Sequence, residues 1–183
     1  PMNANEFLES EINDTPLDRI RHSTAHIMAQ AIKRLWPNVK FAFGPTIEDG
    51  FYYDILIDDY QITMEDFEKI EVEMKNLVKE NIKFERQELS KEEALKFFKE
   101  NNQEFKIDQI EKLNLPTYTI YRQGEFTDLC SGPHVNYTKK CKNFKLMKLS
   151  GAYFRGDAKN KQLQRIYGTS WESKEELDQY LFR

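Results

Sequence analysis

The first legible pattern begins at Thr15-Pro16-Leu17-Asp18, where a hydroxyl, a proline and an acid take the N-cap, first and third positions of a helix start. Leu17, Ile20, Ile27, Ala31 and Leu35 then recur at helical spacing, which predicts a helix from residue 16 to about Trp36, ending before Pro37. Aromatic and β-branched residues predict strands at 39–43 and 51–57, joined by a connection that ends in Glu48-Asp49-Gly50. Thr63-Met64-Glu65-Asp66 caps a second helix, whose Phe67, Ile70, Met74, Leu77 and Val78 share one face up to about Asn81. Residues 83–89 read as a strand, and Ser90-Lys91-Glu92-Glu93 opens a short helix with Ala94, Phe97 and Phe98 turned inward. Further strands are expected at 118–122, 145–149 and 162–167, and a last helix at 173–181, where Ser173 and Glu176 repeat the capping box.

These elements alternate without a regular strand–helix–strand beat. The expected class is therefore α+β: an antiparallel sheet packed with helices, the opening helix carrying a His-x3-His motif. No repeat, low-complexity tract or Gly/Ser-rich linker divides the chain, so residues 16–183 are read as one domain behind a leading segment, 1–15.

With 183 residues the chain is long enough to bury a core, and 39% hydrophobic and 13% aromatic residues exclude a disordered segment. Charged residues reach 32%, and no apolar run approaches the roughly 20 residues of a membrane span, so no membrane partner is expected. The first ten residues carry neither a positive charge nor an apolar stretch, so no secretory leader is read and the cytoplasm is the expected compartment. Two cysteines, Cys130 and Cys141, are too few for a cross-linked scaffold.

A net charge of -4 argues against broad binding to nucleic acid. The average hides a strip, however. Between Asn136 and Arg165 stand Lys139, Lys140, Lys142, Lys145, Lys148, Arg155, Lys159, Lys161 and Arg165, opposed within that segment only by Asp157. Tyr137, Phe144, Tyr153 and Phe154 lie among them. On its own such a strip is a solvated sheet edge guarded by lysines; with a nucleic-acid substrate it becomes a phosphate- and base-contacting face.

All three histidines fall into two short motifs. His22-Ser23-Thr24-Ala25-His26 sets two imidazoles one helical turn apart, able to reach one point, on a flank nearly opposite the apolar stripe. Ala25 and Ala29 beside them leave room for another element. Cys130-Ser131-Gly132-Pro133-His134 sets a thiol and an imidazole in a tight loop. A zincin is excluded because Ser23 stands where its general-base Glu would be. Two chemistries stay open: a tetrahedral zinc set of three imidazoles and a thiolate, or a metal-free pocket whose imidazoles move protons. A Cys130 nucleophile is a third route, which spacing does not decide. The expected geometry is a Cys loop folded over the exposed flank of the first helix around a shared, water-filled hollow.

At these residues the chain resembles the editing domain of bacterial threonyl-tRNA synthetases, which is shared with alanyl-tRNA synthetases. The likeness is carried by RHSTAH at 21–26, FGPTIEDGFYYD at 43–54, FTDLCSGPHV at 126–135, FKLMKLSGAYFRGD at 144–157 and LQRIYGTSW at 163–171. It implies hydrolysis of serine wrongly esterified to threonine tRNA. Such a step is needed because one missing methyl is worth only about 1–3 kcal/mol of discrimination. It further implies a catalytic centre of His22, His26, Cys130 and His134 with Asp128 beside them, and a lysine assigned to Lys106, with Lys99 and Lys112 as neighbouring candidates. Tyr53 would line the pocket, although a strand tyrosine also serves as core. Lys139, Lys140, Lys142 and Arg155 would contact the tRNA 3′ end. Ser131 stands where many relatives carry Arg. No metal is expected to be required, zinc at His22, His26, Cys130 and His134 being the alternative. The other synthetase domains would be partners, and without an aminoacylation core the chain is not expected to charge tRNA. Two further readings stay open: a free-standing hydrolase for mischarged alanine tRNA, and a structural zinc-binding module.

Overall fold

The computed structural model describes residues 15–183; of the leading segment expected at 1–15, all but Thr15 lie outside the described residues. Helix α1, Pro16–Leu35, starts where the Thr15 side chain accepts the Asp18 N–H at 3.1 Å and stops where the Trp36 N–H returns to Ile32. Every residue from Ile20 to Ile32 is buried. This corrects the reading of an apolar stripe with an exposed flank. Neighbours close around the helix: α2 (Phe67–Glu80), strands β3 (Gly50–Leu56) and β8 (Gln162–Ser170), and a 3-10 turn at Thr138–Cys141.

The larger sheet runs β1–β3–β8–β7, with β1 at Lys40–Phe41 and β7 at Phe144–Tyr153, while β2, Thr46–Ile47, pairs with β3. A three-stranded sheet has the order β4–β5–β6, spanning Phe84–Ser90, Thr117–Gln123 and Phe126–Leu129. All pairings are antiparallel, and helices α3 (Lys91–Glu100), α4 (Glu104–Leu113) and α5 (Lys174–Leu181) complete the α+β fold expected from the sequence. Among the described residues no helix is long and apolar enough to cross a membrane.

The main core lies between α1, α2 and the larger sheet; a second forms where Phe98, Ile110, Tyr118 and Ile120 pack α3 and α4 on the smaller sheet. Strand β1 is only two residues long where residues 39–43 were expected; beyond it the chain stays beside β3 through single bonds, Ala42 N–H to the Asp54 carbonyl at 2.9 Å and Asp54 N–H to the Phe43 carbonyl at 2.8 Å, without a regular ladder. Helix α4 and strand β6 were not anticipated. Helix α4 buries Lys106 and Gln109 together with Phe105 and Ile110, so its inward face does not read as apolar.

One side chain fastens α1 to both α2 and the small sheet. Arg34 donates to Glu80 at 2.8 Å, to Glu73 at 3.0 Å and to Glu125 at 2.9 Å, the last lying in the turn between β5 and β6. Its bond to Glu125 is the main cause that lowers that carboxyl from 4.5 to about 2. A carboxylate whose pKa falls on folding stabilises the fold above its unfolded value and loses that contribution as pH drops through the folded one. Stability is therefore expected to decline between pH 4.5 and about 2. In Arg34→Met the decline over that window should be shallower and stability at neutral pH lower, both read from urea unfolding at each pH; parallel curves would remove Arg34 as the cause.

Candidate active site

His22 and His26 project from one face of α1 with ring centroids 4.9 Å apart. The loop that follows β6 brings Cys130 Sγ to 3.2 Å from His22 Nε2 and 3.4 Å from His134 Nε2. The His134 ring stacks on His22 at 4.2 Å and meets His26 edgewise at 4.3 Å. Histidine and cysteine motifs 108 residues apart thus converge, all four groups buried rather than on an open flank. The loop turns at Gly132, whose φ of +75° favours glycine and whose N–H donates to Cys130 Sγ at 3.2 Å. A Cβ there would lie 2.2 Å from the Tyr121 hydroxyl, so only glycine lets the loop lie flat on that ring.

A buried ionic layer adjoins the cluster. Asp128, at the end of β6, meets Lys106 Nζ at 3.0 Å, accepts the Tyr53 hydroxyl, and has Oδ2 3.7 Å from His26 Nε2. Lys106 also donates to the Ala42 carbonyl at 2.8 Å and to the Tyr53 oxygen at 3.0 Å. It is 4% exposed, while the neighbouring candidates Lys99 and Lys112 are exposed on the surface. Tyr53 is both core and pocket wall.

Burial dictates the charge states. It pushes His26 down to about 4, with Asp128 opposing the shift, and drives His22 and His134 well below the ordinary imidazole range, helped by the neighbouring rings. The three imidazoles are therefore neutral at pH 7, free to accept protons or to ligate. For Asp128 burial favours the neutral acid, but Lys106, then His26 and the Tyr53 bond, outweigh it and hold the carboxyl below its usual range.

The cluster borders a narrow cleft lined by His22, His26, Tyr53, Lys106, Asp128 and Cys130. Two groups in its wall were not assigned from sequence. Gln109 is 3% exposed and its amide makes no hydrogen bond among the described residues; it follows Lys106 by three residues on one helix face, the signal that could have found it. The Ser131 hydroxyl is buried without a hydrogen-bond partner among the described residues.

The basic strip divides. Lys139, Lys140 and Lys142 line a separate groove with Arg19, Asn81 and His134, whereas Arg155 lies on the cleft side, 5.9 Å from the ring of Phe43 in the cleft wall. Nor is Asp157 the sole opposing acid: Lys145 pairs with Glu71, Arg155 with Asp108, Lys161 with Glu104 and Arg165 with Asp54. Phe144 and Phe154 are core rather than surface rings.

The donor set fits zinc in type and reach, since the ligand atoms of His22, His26, Cys130 and His134 all lie within 4.8 Å of one another.

Residues 118–167 match the family described as the threonyl and alanyl tRNA synthetase second additional domain. The chain is 53% identical over 167 residues to the threonine--tRNA ligase of Acetivibrio thermocellus, covering 91% of this chain and 26% of that protein. It is 55% identical over 163 residues to the corresponding ligase of Clostridium botulinum strain Langeland, and 55% over 166 residues to that of Geobacillus sp. strain WCH70. The resemblance read from the sequence is thus borne out, and the chain spans about a quarter of the length of these relatives, 26% in each case.

Removing one partner of the buried pair strands the other's charge. Lys106→Met is expected to cost about 3–5 kcal/mol of unfolding free energy, and Lys106→Met/Asp128→Asn should recover a large part of it. Additive losses in that double-mutant cycle would show that the two charges do not depend on each other.

Proposed function

We propose that this chain is the proofreading domain of a threonyl-tRNA synthetase and hydrolyses the ester that joins serine to the 3′ end of threonine tRNA. The observation that carries this reading is the meeting of His22, His26, Cys130 and His134 with the Lys106–Asp128 pair in one cleft, in a chain similar to threonine--tRNA ligases.

Ester hydrolysis needs a proton acceptor for the attacking water and a positive field for the oxygen that gains charge. His26 is the imidazole best placed for the first task. It is neutral, it lines the cleft, and its buried Nδ1 has no hydrogen-bond partner among the described residues. Lys106 contributes to the second. Its three N–H groups are committed to Asp128, Ala42 and Tyr53, so it acts through a fixed charge and by holding Tyr53 and Asp128 in place. Cys130 and His22 also line the cleft. Threonine, larger by one methyl, is rejected by rigid walls. Gly44 packs so closely on Tyr53 that an added Cβ would lie 2.4 Å from its ring, which leaves that wall no slack.

In this reading Lys139, Lys140, Lys142 and Arg155 contact the tRNA, Arg155 nearest the cleft. The remaining synthetase domains are partners, and the reaction takes place in the cytoplasm. Zinc held by His22, His26, Cys130 and His134 would have four protein ligands and would supply a closed structural centre; hydrolysis as proposed needs none.

The test is deacylation of threonine tRNA mischarged with serine. His26→Ala and Cys130→Ala should each lower the rate by about 10²–10⁴-fold while the circular dichroism spectrum stays that of the wild type. A chelator should change neither rate nor melting temperature. Unfolding by chelator would favour a structural zinc module, and preference for mischarged alanine tRNA a free-standing hydrolase. Wild-type rates in both variants would overturn the proposed centre.

A further inference from the structure

One polar side chain in the cluster has no place in the chemistry above. Ser23 lies between the two histidines on α1 and is fully buried. Its oxygen accepts the Val135 N–H at 3.0 Å and lies 2.9 Å from His134 Nδ1. The direction of that second bond follows from counting hydrogens. The Val135 amide must donate, because it has nothing else to offer. If His134 donated as well, the single hydroxyl hydrogen of Ser23 would be left buried, with no other acceptor among the described residues. The arrangement that satisfies every group has Ser23 donating to His134 Nδ1. His134 then carries its proton on Nε2, the nitrogen that faces Cys130 Sγ at 3.4 Å. That sulfur already accepts the Gly132 N–H at 3.2 Å, and His22 Nε2, also 3.2 Å away, lies within reach of its own hydrogen.

We infer that Ser23 is a positioning residue: it fixes the tautomer of His134 and, through it, the direction of a hydrogen-bond chain from Val135 through Ser23, His134 and Cys130 to His22. Its consequence for catalysis rests on the hydrolase reading, whereas the tautomer does not. The chain makes His134 a donor to the thiol rather than a base, and leaves His26, whose buried Nδ1 has no hydrogen-bond partner among the described residues, as the remaining proton acceptor. It also sets a condition on zinc. Ligation through His134 Nε2 requires that nitrogen bare, so the proton must move to Nδ1 and the Ser23 hydroxyl must turn from donor to acceptor.

Nitrogen-15 spectra of the chain labelled in histidine report the tautomer of each ring directly. In the wild type His134 should show a protonated Nε2 and a bare Nδ1. Ser23→Ala should yield the other tautomer or a mixture and lower serine deacylation about tenfold, while Ser23→Thr, which keeps the hydroxyl, should retain both properties. A wild-type His134 protonated on Nδ1 overturns the inference without any variant being made. So does an unchanged tautomer in Ser23→Ala. A wild type with the expected tautomer and no deacylation would instead remove the hydrolase reading and leave the role of Ser23 standing.

Discussion

The ion pair between Lys106 and Asp128 is the constraint around which the site is arranged. Two charges taken out of water cost several kcal/mol each, and a single contact at 3.0 Å does not offset that unless the remaining donors and acceptors are also satisfied. Here they are: the carboxylate receives the Tyr53 hydroxyl and the Leu129 N–H, and the ammonium reaches the Ala42 carbonyl and the Tyr53 oxygen. The three side chains come from three elements, Asp128 from β6, Lys106 from α4, Tyr53 from β3. Satisfying the pair therefore docks the small sheet and α4 onto the large sheet. The same requirement keeps the four histidine and cysteine side chains in register beside it.

Burial that is tolerable for a paired charge is not tolerable for an unpaired one. The imidazoles next to the pair respond by staying neutral, His26 at about 4 and the other two well below their ordinary range. This gives one pocket two kinds of electrostatics. On one side is a fixed positive and negative pair, on the other a set of neutral nitrogens and a thiol whose hydrogens are ordered by hydrogen bonding alone. Both lie within a few ångströms because α1, with no exposed side between Ile20 and Ile32, is held by Arg34 at one end and covered by the Cys loop near the other.

Much of this was legible in the sequence where local chemistry decides. The start of α1 is set by Thr15 and Pro16, that of α3 by Ser90 and Glu93, and both match their structural caps. The pairing of His-x3-His with the Cys loop was readable because no histidine lies elsewhere. Three of the failures share one cause: polar residues were taken to mark solvent. Helix α4 was missed because Lys106 and Gln109 occupy its inward face. The flank bearing His22 and His26 was read as open for the same reason, and the basic strip was read as one surface because the acids that neutralise it, Glu71, Glu104, Asp108 and Asp54, come from distant parts of the chain. Periodicity reports which residues share a face; which face is buried depends on partners that tertiary structure supplies.

Under the proposed function, the division of that strip bears on how a tRNA would meet so small a cleft. The loop from Cys130 to His134 has two sides. One closes the cleft through Cys130 and Ser131; the other, through His134 and the residues after it, borders the groove with Lys139, Lys140 and Lys142. A substrate anchored only in the lysine groove would be separated from the ester-facing groups by the loop itself. Arg155 instead stands beside Phe43 at the cleft wall, held by Asp108 of the same α4 that carries Lys106 and Gln109. The lysine groove, farther along the loop, then suits a more distant part of the same polyanion, where attraction falls off over roughly 10 Å at moderate salt and adds affinity without directing the ester.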